Sequence, residues 1–134
     1  MNLKKFLSLN FLGQLFLSAI FVNAIPGKIT NFSSQIEFIS RRGFSEPFSI
    51  FLLICSTILL ISGVILLIFS DKTKLACSLL LIFLIPTTII FHLVPFQAIA
   101  FSRNLSLIGG LFIAIDRAMV RSVNDNFVRS SKEV

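Results

Sequence analysis

The chain has 134 residues, enough for one domain, of which 55% are hydrophobic and only 13% charged. Soluble domains carry about 25% charged residues, so this composition, with a mean hydropathy of +0.94, excludes an ordinary soluble protein. The net charge of +6 comes without a basic stripe or an RNA-binding motif, which argues against nucleic acid and favours anionic membrane lipids as partners.

Long apolar runs dominate the chain. Three runs lack any charged residue: 6–27, 47–70 and 75–102. About 20 apolar residues cross the hydrocarbon core of a bilayer, so these runs predict membrane-spanning helices. A fourth span is predicted over 98–118, with Arg103 extending outward to the interface and Asp116-Arg117 marking the other boundary. The fold class is therefore an all-α, four-transmembrane-helix bundle that forms a single membrane domain over residues 1–134.

The first span is predicted over 6–26 and is expected to end at Pro26-Gly27, because proline bars helix continuation and glycine permits a change of direction. Val22-Asn23-Ala24 resembles a signal-peptidase site, so cleavage of residues 1–24 stays an alternative. The apolar run is longer than a usual signal core, and Asn10 and Gln14 share one helix face. Both features favour a retained helix.

A short amphipathic segment follows at 31–43. Three apolar residues share one face at helical spacing: Phe32, Ile36 and Ile39. Ser34 and Glu37 fit a capping box, and Gly43 fits the residue after a helix C-terminus. The pattern predicts a short helix in the membrane interface between spans one and two, with a disordered loop as the alternative.

Spans two and three are predicted over 47–70 and 75–92 and form a tight antiparallel hairpin through the polar turn 71–74. Pro86 is expected to kink the third span. Small residues let membrane helices approach closely, and three glycines are predicted to serve this packing: Gly63, Gly109 and Gly110.

The distribution of basic residues predicts the orientation. One side of the membrane would hold eight: Lys4, Lys5, Lys72, Lys74, Arg117, Arg121, Arg129 and Lys132. The other side would hold four: Lys28, Arg41, Arg42 and Arg103. By the positive-inside rule, both termini face the cytoplasm. The polar tail 119–134 is expected to be a partly disordered cytoplasmic segment, and the protein a multi-pass component of a bacterial plasma membrane.

Residues with catalytic potential are few. No carboxylate lies within an apolar run, no metal-ligand pattern occurs, and Cys55 and Cys77 have the setting of small packing residues. The sequence therefore predicts neither catalytic residues nor a metal site. Four polar residues are predicted to gather at the outer mouth of the bundle: Lys28, His92, Arg103 and Asn104. They would either bind a quinone head group or an anion, or anchor helix ends to lipid headgroups.

Several short strings resemble the DoxX family of small four-helix membrane proteins, over roughly 11–117. They are Gly27-Lys28 after the first span, Phe91-His92 at the end of the third, and the fourth-span string that runs from Asn104-Leu105 to Gly109-Gly110-Leu111. Relatives often carry a glutamate four residues before a glycine in the second span. Here Gly63 is present, but Leu59 stands at the glutamate position.

The resemblance implies a quinone- or redox-associated subunit of a membrane oxidoreductase system. Its partners would be lipids together with a redox enzyme subunit or a second copy of the chain, and quinone is the cofactor it suggests. Because Leu59 removes the intramembrane carboxylate, the sequence favours a protein without catalytic activity of its own. The alternatives are a small transporter subunit and a membrane assembly factor.

Overall fold

The computed structural model describes residues 8–93 and 95–133, and this part of the chain consists of helices joined by short turns. The helices are α1 (Leu9–Thr30), α2 (Phe32–Ser40), α3 (Glu46–Phe69), α4 (Thr73–His92) and α5 (Ala98–Lys132). Four of them, α1, α3, α4 and α5, are long and apolar enough to cross a membrane, and the short α2 lies between the first two. The predicted fold class is confirmed.

Successive long helices run antiparallel, so the polar connections collect at two ends of the bundle. The end of α1, all of α2, the start of α3 and the α4–α5 junction lie at one end, which we call the mouth. Phe38 of α2 stacks there on Phe91 of α4 at 4.8 Å between ring centroids. At the opposite end, Gln14 Nε2 of α1 donates a hydrogen bond to Thr73 Oγ1 of α4 at 3.1 Å. The polar atoms of Gln14 therefore serve helix packing.

The buried core lies mainly between α3 and α4. Its buried members are Phe21, Leu60, Val64, Leu67, Ala76, Cys77, Leu80, Leu81, Phe83, Leu84 and Leu111. Many large apolar side chains on the outer faces are exposed, such as Ile58 and Ile89. In a bilayer these faces meet lipid, so close packing rather than exclusion of water holds the helices together.

The first helix does not end at Pro26-Gly27, and that prediction was wrong. Pro26 lies inside α1, which continues to Thr30. Membrane helices tolerate proline where other groups satisfy the freed backbone atoms; the carbonyl that loses its helical donor here is that of Val22. Because of this extra turn, Lys28 belongs to the helix, and its side chain points into the bundle, where it is buried. The predicted start of this span at residue 6 lies outside the described residues.

The last helix is far longer than predicted. It has 35 residues, about 52 Å at 1.5 Å per residue, against a hydrocarbon core of about 30 Å. Residues 119–132 are therefore helical, and the expectation of partial disorder in the tail was wrong. The sequence permits the extension because no proline or glycine follows Gly110.

The short helix α2 differs in detail from its prediction. It begins at Phe32, so Ser34 lies inside the helix and does not cap it, and Glu37 instead pairs with Arg41 one turn later. Gly43 has φ of 99°, a left-handed conformation that glycine adopts without strain, and it turns the chain towards α3.

Candidate functional site

A mostly apolar crevice runs between α3 and α4 below the mouth and encloses about 220 Å³. Its α3 wall includes Leu52, Cys55, Ser56 and Leu59, and its α4 wall includes Ile82, Phe83, Thr87, Ile90 and Phe91. Lys28 of α1 and Ile39 of α2 complete the lining. Ile82 is 57% exposed, so the crevice opens onto the outer surface of the bundle.

Among the described residues that line the crevice, Lys28 alone is charged. Its side chain is 8% exposed. The Nζ atom donates to Gln35 Oε1 at 3.2 Å and lies 5.4 Å from the ring centroids of both Phe83 and Phe91. Two aromatic faces and one amide oxygen thus surround the ammonium group, a setting that stabilises a cation out of water.

Helix α2 closes the mouth over this group. Gln35 Nε2 donates to Gly27 O at 2.9 Å, so one amide holds both the end of α1 and the lysine. Ser40 and Ser49 are joined through their hydroxyls at 3.1 Å, which ties the end of α2 to the start of α3. The position of Lys28 is therefore set by three helices together.

The other predicted site residues do not join Lys28. Asn104 is buried and donates to Thr88 Oγ1 at 3.0 Å, a bond between α4 and α5. His92 contacts the Gln97 amide at 3.1 Å, and Arg103 is exposed. Within the described ranges, 8–93 and 95–133, no hydrogen bond or ion pair links these residues to one another.

The crevice and Asn104 lie on different faces of α4. Phe83, Thr87 and Phe91 face the crevice, whereas Thr88 faces α5. At 100° per residue, consecutive positions such as 87 and 88 point in clearly different directions. The four residues predicted to gather at the mouth are therefore separated. Lys28 lines the crevice, Asn104 joins α4 to α5, and His92 and Arg103 lie nearer the surface.

Comparison with known proteins places the chain in a family. A sequence model of the SURF4 family matches residues 1–131, almost the whole chain. The chain belongs to the SURF4 family. Neither a curated protein nor a solved structure matches it significantly. Together with the four long apolar helices, the assignment describes a SURF4-family integral multi-pass membrane protein.

The SURF4 assignment overturns the resemblance to DoxX and the redox-subunit function that it implied. It supports neither a redox partner nor a bacterial plasma membrane. The short strings that carried the resemblance lie at helix ends and at a contact between helices, positions that occur in any membrane helix bundle. Gly27-Lys28 lies in the last turn of α1, Phe91-His92 ends α4, and Gly110 approaches α1.

The three glycines of this SURF4-family chain differ in their surroundings. A Cβ atom at Gly63 would lie 2.7 Å from Leu80 Cδ2 and Cγ, so only glycine fits the approach of α3 to α4. At Gly110 a Cβ would lie 3.3 Å from Leu17 Cδ1 of α1. A Cβ at Gly109 would have no atom of another described element within 4 Å.

Sequence reasoning missed most of the crevice. Phe83 and Phe91 are eight residues apart and therefore share a helix face, a signal that was available in the sequence. The contact of Gln35 with Lys28 depends on the continuation of α1 past Pro26, which the sequence did not predict. Ser56 and Thr87 gave no signal, because hydroxyl residues are common in membrane helices.

Proposed function

We propose that this SURF4-family chain is a non-enzymatic membrane receptor that holds an apolar segment of a client in the α3–α4 crevice. The family is one of cargo receptors, and the observation that carries the proposal is the crevice that ends at Lys28. A receptor needs a shaped apolar surface with few polar contacts. The crevice has this character, and its opening beside Ile82 gives a membrane-embedded client lateral access.

The receptor function is tested by photo-crosslinking from the crevice wall. Benzoylphenylalanine at Ile82, which lines the crevice, is expected to capture a defined client, identified by mass spectrometry. The matched control is Ile89, an equally exposed isoleucine on α4 outside the crevice lining. The captured client should also be delayed in cells that lack the protein. Equal capture from both positions, or normal transport of the client, contradicts the proposal.

We also propose that the mouth faces away from the cytoplasm and that both termini are cytoplasmic. The end opposite the mouth carries the larger number of basic residues, among them Lys72 and Lys74 in the α3–α4 turn. In a background with Cys55 and Cys77 changed to alanine, sealed membrane vesicles with their cytoplasmic face outward should react with an impermeant maleimide at Lys72→Cys. Arg41→Cys should be labelled only after the vesicles are permeabilised, and the reverse pattern contradicts this orientation.

A further inference from the structure

Lys28 is a buried cation without an anion. Its ammonium group has three N–H donors, and the hydrogen bond that the structure shows for it goes to Gln35 Oε1. The ion pair found within residues 8–93 and 95–133 joins Arg41 to Glu37, both largely exposed, and no carboxylate of these residues pairs with Lys28. Buried charges are normally paired, and Lys28 lines the crevice, so a negative group of a ligand could supply the missing partner.

Apart from Lys28, the crevice favours apolar ligand atoms. Its two hydroxyl side chains already donate within their own helices, Ser56 to Leu53 O at 2.9 Å and Thr87 to Phe83 O at 2.7 Å. The other walls are aliphatic and aromatic apart from the Cys55 thiol. A ligand therefore meets one cationic group beside Ile39 under α2 and apolar side chains further along the crevice.

The volume narrows the class of ligand. At about 220 Å³, the crevice is smaller than the roughly 300–1,000 Å³ typical of pockets for drug-sized ligands. The α4 wall from Ile82 to Phe91 extends about 14 Å along the helix axis at 1.5 Å per residue. The space is thus long and narrow, a shape that suits one unbranched chain better than a ring system.

We propose that the crevice binds an anionic amphiphile, with its carboxylate or phosphate head on Lys28 and a single apolar chain between α3 and α4. This inference rests on the proposed function, because it names the chemical class of ligand that the receptor crevice recognises. The head accepts hydrogen bonds from the ammonium group beneath α2, and the chain leaves the crevice on the side of Ile82. A free fatty acid and one chain of an anionic phospholipid share this chemistry.

Binding of radiolabelled dodecanoate to the full chain in phosphatidylcholine nanodiscs tests the inference. Lys28→Met is expected to weaken binding tenfold or more, which corresponds to about 1.4 kcal/mol, while Lys28→Arg keeps most of the affinity. Lys74→Met, the same change at an exposed lysine of the opposite end, should bind as the unmodified protein does. Ser56→Phe, which fills the crevice and keeps the charge, should abolish binding.

Competitors define the ligand and its source. Dodecyl phosphate should displace dodecanoate, whereas dodecanol and acetate, which lack the charge and the chain respectively, should not. Displacement by phosphatidylglycerol supports a bilayer lipid as the source, and its failure supports a free single-chain amphiphile. Equal affinity of Lys28→Met and the unmodified protein, or equal competition by dodecanol, overturns the inference. Crosslinking at Ile82 is a separate readout. Client capture without dodecanoate binding would support the receptor function and overturn this inference, whereas dodecanoate binding without client capture would do the reverse.

Discussion

Replacing Gly63 with alanine is expected to destabilise the α3–α4 hairpin by about 1–3 kcal/mol, the usual cost of overpacking. The new Cβ atom would lie 2.7 Å from two atoms of Leu80 and 3.4 Å from the Ala76 carbonyl oxygen. Leu80 is fully buried and cannot swing away into lipid. The free energy of unfolding in mixed micelles, followed by circular dichroism, measures the effect.

Gly109→Ala is the matched control, because its new Cβ atom would have no atom of another described element within 4 Å. Alanine is a better helix former than glycine by about 0.5–1 kcal/mol, so this variant should be neutral or slightly more stable. Leu80→Ala alone leaves a cavity and is expected to cost about 2–5 kcal/mol. Combined with Gly63→Ala it should cost less than the sum of the two, and simple additivity would show that the two side chains do not meet.

Removing the amide of Asn104 is expected to loosen the contact between α4 and α5. Asn104 donates to Thr88 Oγ1 at 3.0 Å, and Thr88 Oγ1 in turn donates to Leu84 O at 2.7 Å. Hydrogen bonds between membrane helices contribute about 0.6 kcal/mol on average and at most about 1.7 kcal/mol. Asn104→Ala should fall at the upper end of this range, because the site is buried and no water replaces the lost donor.

A double-mutant cycle with Thr88→Val isolates the hydrogen bond, and its coupling energy should be close to the loss in Asn104→Ala. Ser106→Ala serves as control on the same helix, since Ser106 is exposed and its hydroxyl donates to Ser102 O of its own helix. A coupling energy near zero would assign the effect of Asn104→Ala to lost packing instead.

The four spans were predictable because a bilayer imposes one strong requirement, a run of about 20 apolar residues. The ends of the helices were less predictable. By the rules for soluble helices Pro26 predicts a helix end, yet α1 continues to Thr30. In lipid, neighbouring groups satisfy the atoms that proline frees, so the residue loses much of its power to end a helix.

Of the crevice lining, only Lys28 was among the predicted site residues. Lys28 and Asn104 stand out in the sequence as polar residues near the ends of apolar runs, and both are buried. The residue pattern alone does not give the rotation of each helix about its axis. Arg103 and Asn104 are adjacent, and one is exposed while the other is buried. The crevice itself arises from the packing of α3 against α4, which no short motif in the chain describes.

The length of α5 has a mechanical consequence. Residues beyond about 118 form the same continuous helix as the span, so the far end is a rigid lever of about 21 Å. Tilting such a helix by about 20°, the average tilt of membrane helices, swings its tip by roughly 7 Å. Because α5 packs on α4, which also forms a wall of the crevice, we expect a change in the spacing of these helices to move the tip of α5 on the opposite side of the membrane.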